Sequence, residues 1–256
     1  MQRTLRPSAW ARVLRRRGAG RRKPAYREIW PALALRWAGR LVYGFIALSL
    51  ALVLLFRYVD PPYTVLMAQE RWRLGETERH WRPLEQIAEP MRRAVIAAED
   101  ANFCAHRGFD LEALRSAVAV WRGGGRLVGA STISQQTAKN VFLWPQRSLV
   151  RKALEFWFTA LIEIFWGKER ILEVYLNVAE FGPGKFGVAA GAEAAFRSRS
   201  DTLQLDSAAR LAAVLPAPRR FDPADLPAER LDRVAAVIDG ARTLEKTGGA
   251  DCVRAP

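Results

Sequence analysis

Ala98-Glu99-Asp100-Ala101-Asn102-Phe103-Cys104-Ala105-His106-Arg107-Gly108-Phe109-Asp110 is the stretch around which the chain is organised. Ahead of it, Pro90 to Ala98 has the pattern of a short helix. Proline suits a first helical position, and Met91, Ala94, Val95 and Ala98 fall on one face. Behind it, Asp110 can cap a second helix, Leu111 to Trp121, with Glu112 in its first turn. Glu99 and Asp100 therefore close one apolar helix, in a short turn before the next. Two carboxylates there face the negative end of the helix dipole, which favours their protonated forms and pushes a carboxylate toward general-base strength. The alternative is a solvated helix end with an arginine partner.

On the N-terminal side the composition shifts sharply. The 256 residues are half hydrophobic and carry a formal net charge of +14. Residues 1–40 hold twelve basic residues against Glu28 alone, a charge of +11; the rest holds 28 basic and 25 acidic residues, a charge of +3. The excess sits in a tail, so nucleic acid is not the expected partner. An uncharged run, Leu41 to Phe56, follows the tail. Extended over residues 37–59 with Arg40 and Arg57 snorkelling, it reaches the roughly 20 residues a bilayer needs. Arginines before it and Asp60-Pro61-Pro62 after it place the tail in the cytoplasm and the remainder outside. A cleaved signal peptide fits less well, because the region before the apolar run is long and no small-x-small site precedes the prolines. The expected divisions are a basic cytoplasmic tail (1–36), a membrane helix (37–59), a polar connector (60–82) with Thr64-Val65-Leu66-Met67 as a strand, and a catalytic domain (83–256).

On the C-terminal side helical patterning dominates. Arg122-Gly123-Gly124-Gly125-Arg126 is a flexible loop. Gly129-Ala130-Ser131-Thr132-Ile133-Ser134-Gln135-Gln136-Thr137-Ala138-Lys139-Asn140 offers many hydroxyls and amides, a set that suits a sugar; a solvated helix face is the plainer reading. Ser148 caps a helix, Leu149 to Trp166, that is apolar almost all round and so buried or against lipid. Arg147, Arg151 and Lys152 crowd its positive end, where an anion such as a diphosphate would make them tolerable. Arg151 and Glu155 share a face at i, i+4, which for an exposed pair is worth only about 0.3–0.5 kcal/mol. Further helices are expected over Glu169–Asn177, Phe186–Phe196, Ser207–Leu215 (capped by Asp206) and Ala228–Leu244. Gly182-Pro183-Gly184 is a turn. Cys104 and Cys252 are the only cysteines. Outside the cytoplasm they can pair, but their spacing does not require it. With His80 and His106 as the only histidines, no Cys/His zinc motif appears.

A sugar, a diphosphate and a lipid are thus the substrate features that these pieces suit. At this point the chain resembles the monofunctional biosynthetic peptidoglycan transglycosylases, family-51 glycosyltransferases. Five motifs carry the resemblance, over roughly residues 83–220: Glu99-Asp100-x-x-Phe103-x-x-His106-x-Gly108; Gly129 to Asn140; the Arg-Lys-x-x-Glu block, Arg151 to Glu155; Arg170-Ile171-Leu172-Glu173-x-Tyr175-Leu176-Asn177; and Gly187-Val188-x-Ala190, ending at Phe196. Ala130 departs from a common Gly, Gly191 from a common Ala, and Ala195 from a Tyr.

The resemblance implies an all-α, lysozyme-like fold of head and jaw lobes behind an N-terminal transmembrane helix. It implies lipid II as acceptor, a lipid-linked glycan as donor, and an inverting β-1,4 transfer. Glu99 would be the general base and Glu155 would assist at the donor. Lys139, Arg147, Arg151 and Lys152 would hold the diphosphate, and Ser131, Gln135, Gln136 and Asn140 would line the cleft. Independently of the resemblance, the three glycines of residues 123–125 suggest a loop that would let the jaw open around the polymer. No resident metal is expected; Mg²⁺ or Mn²⁺ would arrive on the substrate diphosphate. Other cell-wall synthesis and division proteins are the expected partners, and the bacterial inner membrane, with the catalytic domain periplasmic, the expected site. A transpeptidase Ser-x-x-Lys is missing from the sequence, and Lys246-Thr247-Gly248 alone is chance, so glycan polymerisation without cross-linking is expected. The rival is a lytic transglycosylase or lysozyme-like hydrolase, which also uses one Glu but needs no diphosphate clamp.

Overall fold

The computed structural model describes residues 26–124 and 131–254. The tail up to residue 25, residues 125–130 of the glycine loop, and Gly129-Ala130 of the second motif lie outside the described residues. The chain divides into two units after Leu48.

The first helix, α1 (Tyr26–Tyr58), contains the one stretch among the described residues that is long and apolar enough to cross a membrane, Leu33–Tyr58. Its last ten residues, from Ser49, belong to the second unit, where Val53 is buried. That unit is almost wholly helical, as expected: α2 (Val65–Leu74), α3 (Glu89–Glu99), α4 (Leu111–Arg122), α5 (Ile133–Phe142), α6 (Leu149–Phe165), α7 (Lys168–Val178), α8 (Val188–Phe196), α9 (Leu205–Val214) and α10 (Ala228–Thr247). One small sheet interrupts them, in the order β1 (Glu78–Arg79), β3 (Lys185–Phe186), β2 (Glu180–Gly182). β1 runs parallel to β3, with Arg79 opposite Phe186, and β2 pairs antiparallel across the Gly182-Pro183-Gly184 turn.

Several expectations are corrected. Thr64 to Met67 is no strand: the Thr64 hydroxyl accepts from the Met67 amide and caps α2, so a β-branched start served as an N-cap. Phe186 belongs to β3, and the helix after it starts two residues later because Gly187 holds a positive φ. Gln204, not Asp206, stands at the N-cap of α9, leaving Asp206 in the first turn. The 60–82 segment, expected as a polar connector, contributes α2 and the edge strand β1.

α3 lies against both α9 and α10, and α5 against α6 and α7. Met91, Ala94, Val95 and Ile96 of α3 are fully buried, as are Phe103 just beyond it and Ile133 at the head of α5. The core therefore sits immediately behind the turn that carries Glu99, and the acid is held by packed helices on its inner side.

Candidate active site

The turn after α3 is fixed by a continuous hydrogen-bond path. Asp100 Oδ2 accepts from the Ile133 amide at 2.9 Å, satisfying one of the free N–H groups at the start of α5. Asp100 Oδ1 lies 2.8 Å from His106 Nε2, and the Gly108 amide donates to His106 Nδ1 at 3.1 Å. The imidazole proton therefore sits on Nε2 and points at Asp100. Thr132 completes the path: its hydroxyl donates to the Gly108 carbonyl at 2.7 Å and caps α5. Gly108 has φ +86°, and a Cβ there would come 2.9 Å from Thr159 and Glu163 side-chain carbons, so both backbone and space demand glycine. Both adjacent carboxylates border one cavity, but Asp100 is committed to architecture through its bonds to Ile133 and His106.

That cavity, of about 250 Å³, is lined by Glu99, Asn102, Asp110, Ala113 and Ser131, among others. The Glu99 side chain is 12 % exposed, enough for a substrate atom to reach it and little enough to desolvate it. Burial pushes its carboxyl above the ordinary range; the Gln136 hydrogen bond, then Arg233 and Lys139, oppose that rise, and Asp100 adds to it. Desolvation accompanies the helix-end placement that the sequence suggests. Gln136 Nε2 donates to Glu99 Oε2 at 2.9 Å, and Tyr175 donates to Gln136 Oε1 at 3.3 Å, which fixes the way the amide faces. Burial raises the Tyr175 phenol well above its usual value, so it stays a neutral donor.

Arg233, from α10, is an arginine partner of Glu99, which the sequence reading allowed for without identifying it. Its Nη2 donates to Glu99 Oε1 at 3.2 Å and to the Ala98 carbonyl at 3.3 Å, placing a cation at the negative end of α3. It lies 134 positions from Glu99, in a helix with no motif, so nothing local marks it. α10 reaches α3 through Gly240, where a Cβ would come 3.0 Å from Ala97 Cβ.

One turn along α5 from Gln136 stands Lys139. Burial holds its ammonium below the usual lysine value; Glu155 and Glu99 oppose this and Arg151 and Lys152 reinforce it. Lys139 is thus in electrostatic reach of Glu99 on one side and of the α6 cluster on the other. In that cluster Glu155 takes Arg151 on Oε2 and Lys152 on Oε1, each at 2.5 Å. Arg151 and Glu155 are both buried, so the pair is not the exposed one first considered. Arg151 Nε remains buried without a partner among the described residues, a donor that an anion would satisfy. Arg147 is exposed just before the Ser148 cap of α6 and makes no hydrogen bond or ion pair among the described residues.

The amides and hydroxyls divide. Ser131 is exposed and lines the Glu99 cavity. Gln135 is buried, and its side-chain oxygen accepts from the Thr132 amide in a capping box, so it sets the start of α5. Asn140 is buried and borders a separate pocket with Lys139, Leu66 and Trp144. Both Glu155 oxygens are committed to cations, and among the described residues no group of three His, Cys, Asp or Glu side chains is placed to hold a metal. Among the described residues this donor set does not fit a protein-held metal.

Known proteins can be compared with this geometry. The transglycosylase family's sequence profile matches residues 67–242. A biosynthetic peptidoglycan transglycosylase of Jannaschia sp. is 50 % identical over 218 residues, covering 85 % of this chain and 89 % of that protein. One from Pseudomonas putida (strain W619) is 51 % identical over 193 residues, 73 % of this chain and 82 % of its own length. One from Caulobacter vibrioides is 47 % identical over 204 residues, 78 % and 88 % respectively.

Proposed function

The chain belongs to the transglycosylase family, and from that premise we propose that it polymerises lipid II into β-1,4 glycan strands with release of undecaprenyl diphosphate. The observation that supports the residue assignment is the placement of Gln136 and Lys139 one turn apart on α5: Gln136 donates to a desolvated carboxylate at Glu99, and Lys139 is in electrostatic reach of both Glu99 and the Arg151–Lys152–Glu155 cluster.

A sugar hydroxyl attacks poorly unless its proton leaves as the bond forms. In this reading the acceptor's 4-hydroxyl oxygen attacks the donor's anomeric carbon, and its proton passes to the Glu99 carboxylate. The bond from that carbon to the diphosphate oxygen breaks, and the diphosphate leaves with the electron pair. A single displacement inverts the carbon. Gln136 and Arg233 hold the carboxylate in place. Lys139, Arg147 and Lys152 meet the charge that develops on the diphosphate, and Arg151 adds its unpartnered Nε; cations shielded from water, as Lys139 and Arg151 are, are worth more than exposed ones. Glu155 keeps Arg151 and Lys152 in register. Ser131, beside Glu99, meets acceptor hydroxyls, and Asn140 supports Lys139.

The substrate is lipid-borne, and α1 suits that. Arg40 lies over Trp37 at 4.9 Å and Arg57 over Tyr58 at 5.3 Å, basic and aromatic groups toward either end of an apolar span. The helix is proposed to cross the bacterial inner membrane once, with the tail cytoplasmic and the enzyme periplasmic. Labelled lipid II presented to the pure protein tests the reading: linear polymer is expected, and clipped wall fragments from sacculi in its place would favour the hydrolase.

A further inference from the structure

The end of α1 is fastened to the helices that carry the site. Arg170, in the first turn of α7, donates through Nε and Nη2 to the Phe56 carbonyl at 3.1 and 3.0 Å, and through Nη2 to the Val59 carbonyl at 3.0 Å. Its Nη1 pairs with Asp60 at 2.9 Å and with Glu173. The last carbonyls of a helix have no internal partners and form its negative end, and a planar guanidinium satisfies several of them at once. Trp166 adds a second fastening, Nε1 to the Val53 carbonyl at 2.7 Å, with the ring 4 % exposed. Arg79 holds the next turn of chain through the Pro61 and Pro62 carbonyls, both at 2.7 Å.

These bonds run into the catalytic walls. α7 carries Arg170 and, five residues on, Tyr175, which orients Gln136 at Glu99. The Phe56 ring lies 6.0 Å from that of Phe142, in the last turn of α5, the helix of Gln136 and Lys139. Asp60-Pro61-Pro62 opens the segment expected as a polar connector, and each of its three residues is tied to an arginine of the body.

We propose that Arg170 and Trp166 are positioning residues that clamp the end of α1 to α6 and α7, so that Glu99 and the cationic side chains meet a diphosphate held at the depth of a bilayer surface. This rests on the proposed function. A body swinging on a loose linker would sample many depths, and each wrong one lowers the effective concentration of site and diphosphate. In a detergent micelle no plane fixes the substrate, and the clamp loses its purpose.

The test compares the full chain, wild type against Arg170→Ala and Trp166→Phe, on lipid II in phosphatidylethanolamine–phosphatidylglycerol vesicles and in detergent. Wild-type polymerisation in detergent checks the functional reading by itself. Arg170→Ala is expected to lose about tenfold in vesicles, the rate equivalent of about 1.4 kcal/mol, while staying within about twofold in detergent. Trp166→Phe keeps the ring and loses only the bond to Val53, so a smaller loss in the same direction is expected. Equal losses in both media, or none in vesicles, overturn the clamp. Should Arg170→Ala fail to melt cooperatively, Trp166→Phe decides: an unchanged vesicle-to-detergent ratio overturns it.

Discussion

Glu99 owes its character to what surrounds it. Burial raises its carboxyl while Gln136, Arg233 and Lys139 pull the other way. A carboxyl raised in the folded state contributes stability that is full below the ordinary carboxylate value and is lost as pH climbs through the raised one. At neutral pH the ionised acid is therefore a burden on the fold. Glu99→Gln is expected to slow polymerisation by about 10²–10⁴-fold, the scale of general-base catalysis, and to melt higher than the parent at pH 7. That melting gap should close as the pH falls below the ordinary carboxylate value; a variant melting lower at pH 7 would overturn the account. Arg233→Ala removes a cation from the same carboxylate, so the acid limb of the pH–rate profile should move to higher pH, and Arg233→Lys should move it less. If the limb stays where it is, Arg233 does not tune the base. Lys139 is depressed by burial, so the alkaline limb should fall at lower pH than an ordinary lysine gives.

At the scale of elements, close approach of helices decides what meets what. Gly240 admits α3 to within contact of α10. Gly240→Val should cost about 1–3 kcal/mol through overpacking and should shift the acid limb as Arg233→Ala does, because both part Arg233 from Glu99; denaturant unfolding and the pH–rate profile check the two halves. Gly191, a departure from the resembled pattern, has an equally plain reason: a Cβ there would stand 2.6 Å from Phe181 Cβ. Ser148 caps α6 by accepting from the Arg151 amide at 3.1 Å, so Ser148→Ala should cost about 1 kcal/mol. Most helices were legible because their signals are local: Pro90 at the start of α3, Ser148 before α6, the apolar period of both. β1 was not, since its two residues become a strand only by pairing with β3, more than 100 positions away.

Across the whole molecule, Cys104 and Cys252 form a disulfide between partners 148 positions apart. It ties the turn that follows Glu99 to the short helix after α10 (Asp251–Val253). Cross-linking so long a loop restricts the unfolded chain strongly, and losing such a bond costs about 2–5 kcal/mol. Reduction, or Cys104→Ser with Cys252→Ser, should lower the melting temperature, and with it the thermal limit of polymerisation; identical melting with and without reductant would overturn this.

By itself the sequence determined the helical class, the apolar span, and the acid and the basic cluster with their motifs, because each is written in neighbouring residues with a fixed period, cap or spacing. Only the tertiary structure decided which side chains are free to act. It spent Asp100 on the start of α5 and Gln135 on a cap, turned Glu155 to two cations, brought Arg233 to Glu99, paired the cysteines, and fastened the end of α1 to α7. The physical reason is that burial and long-range hydrogen bonds depend on which surfaces pack together, and packing partners far apart in the chain leave no pattern along it.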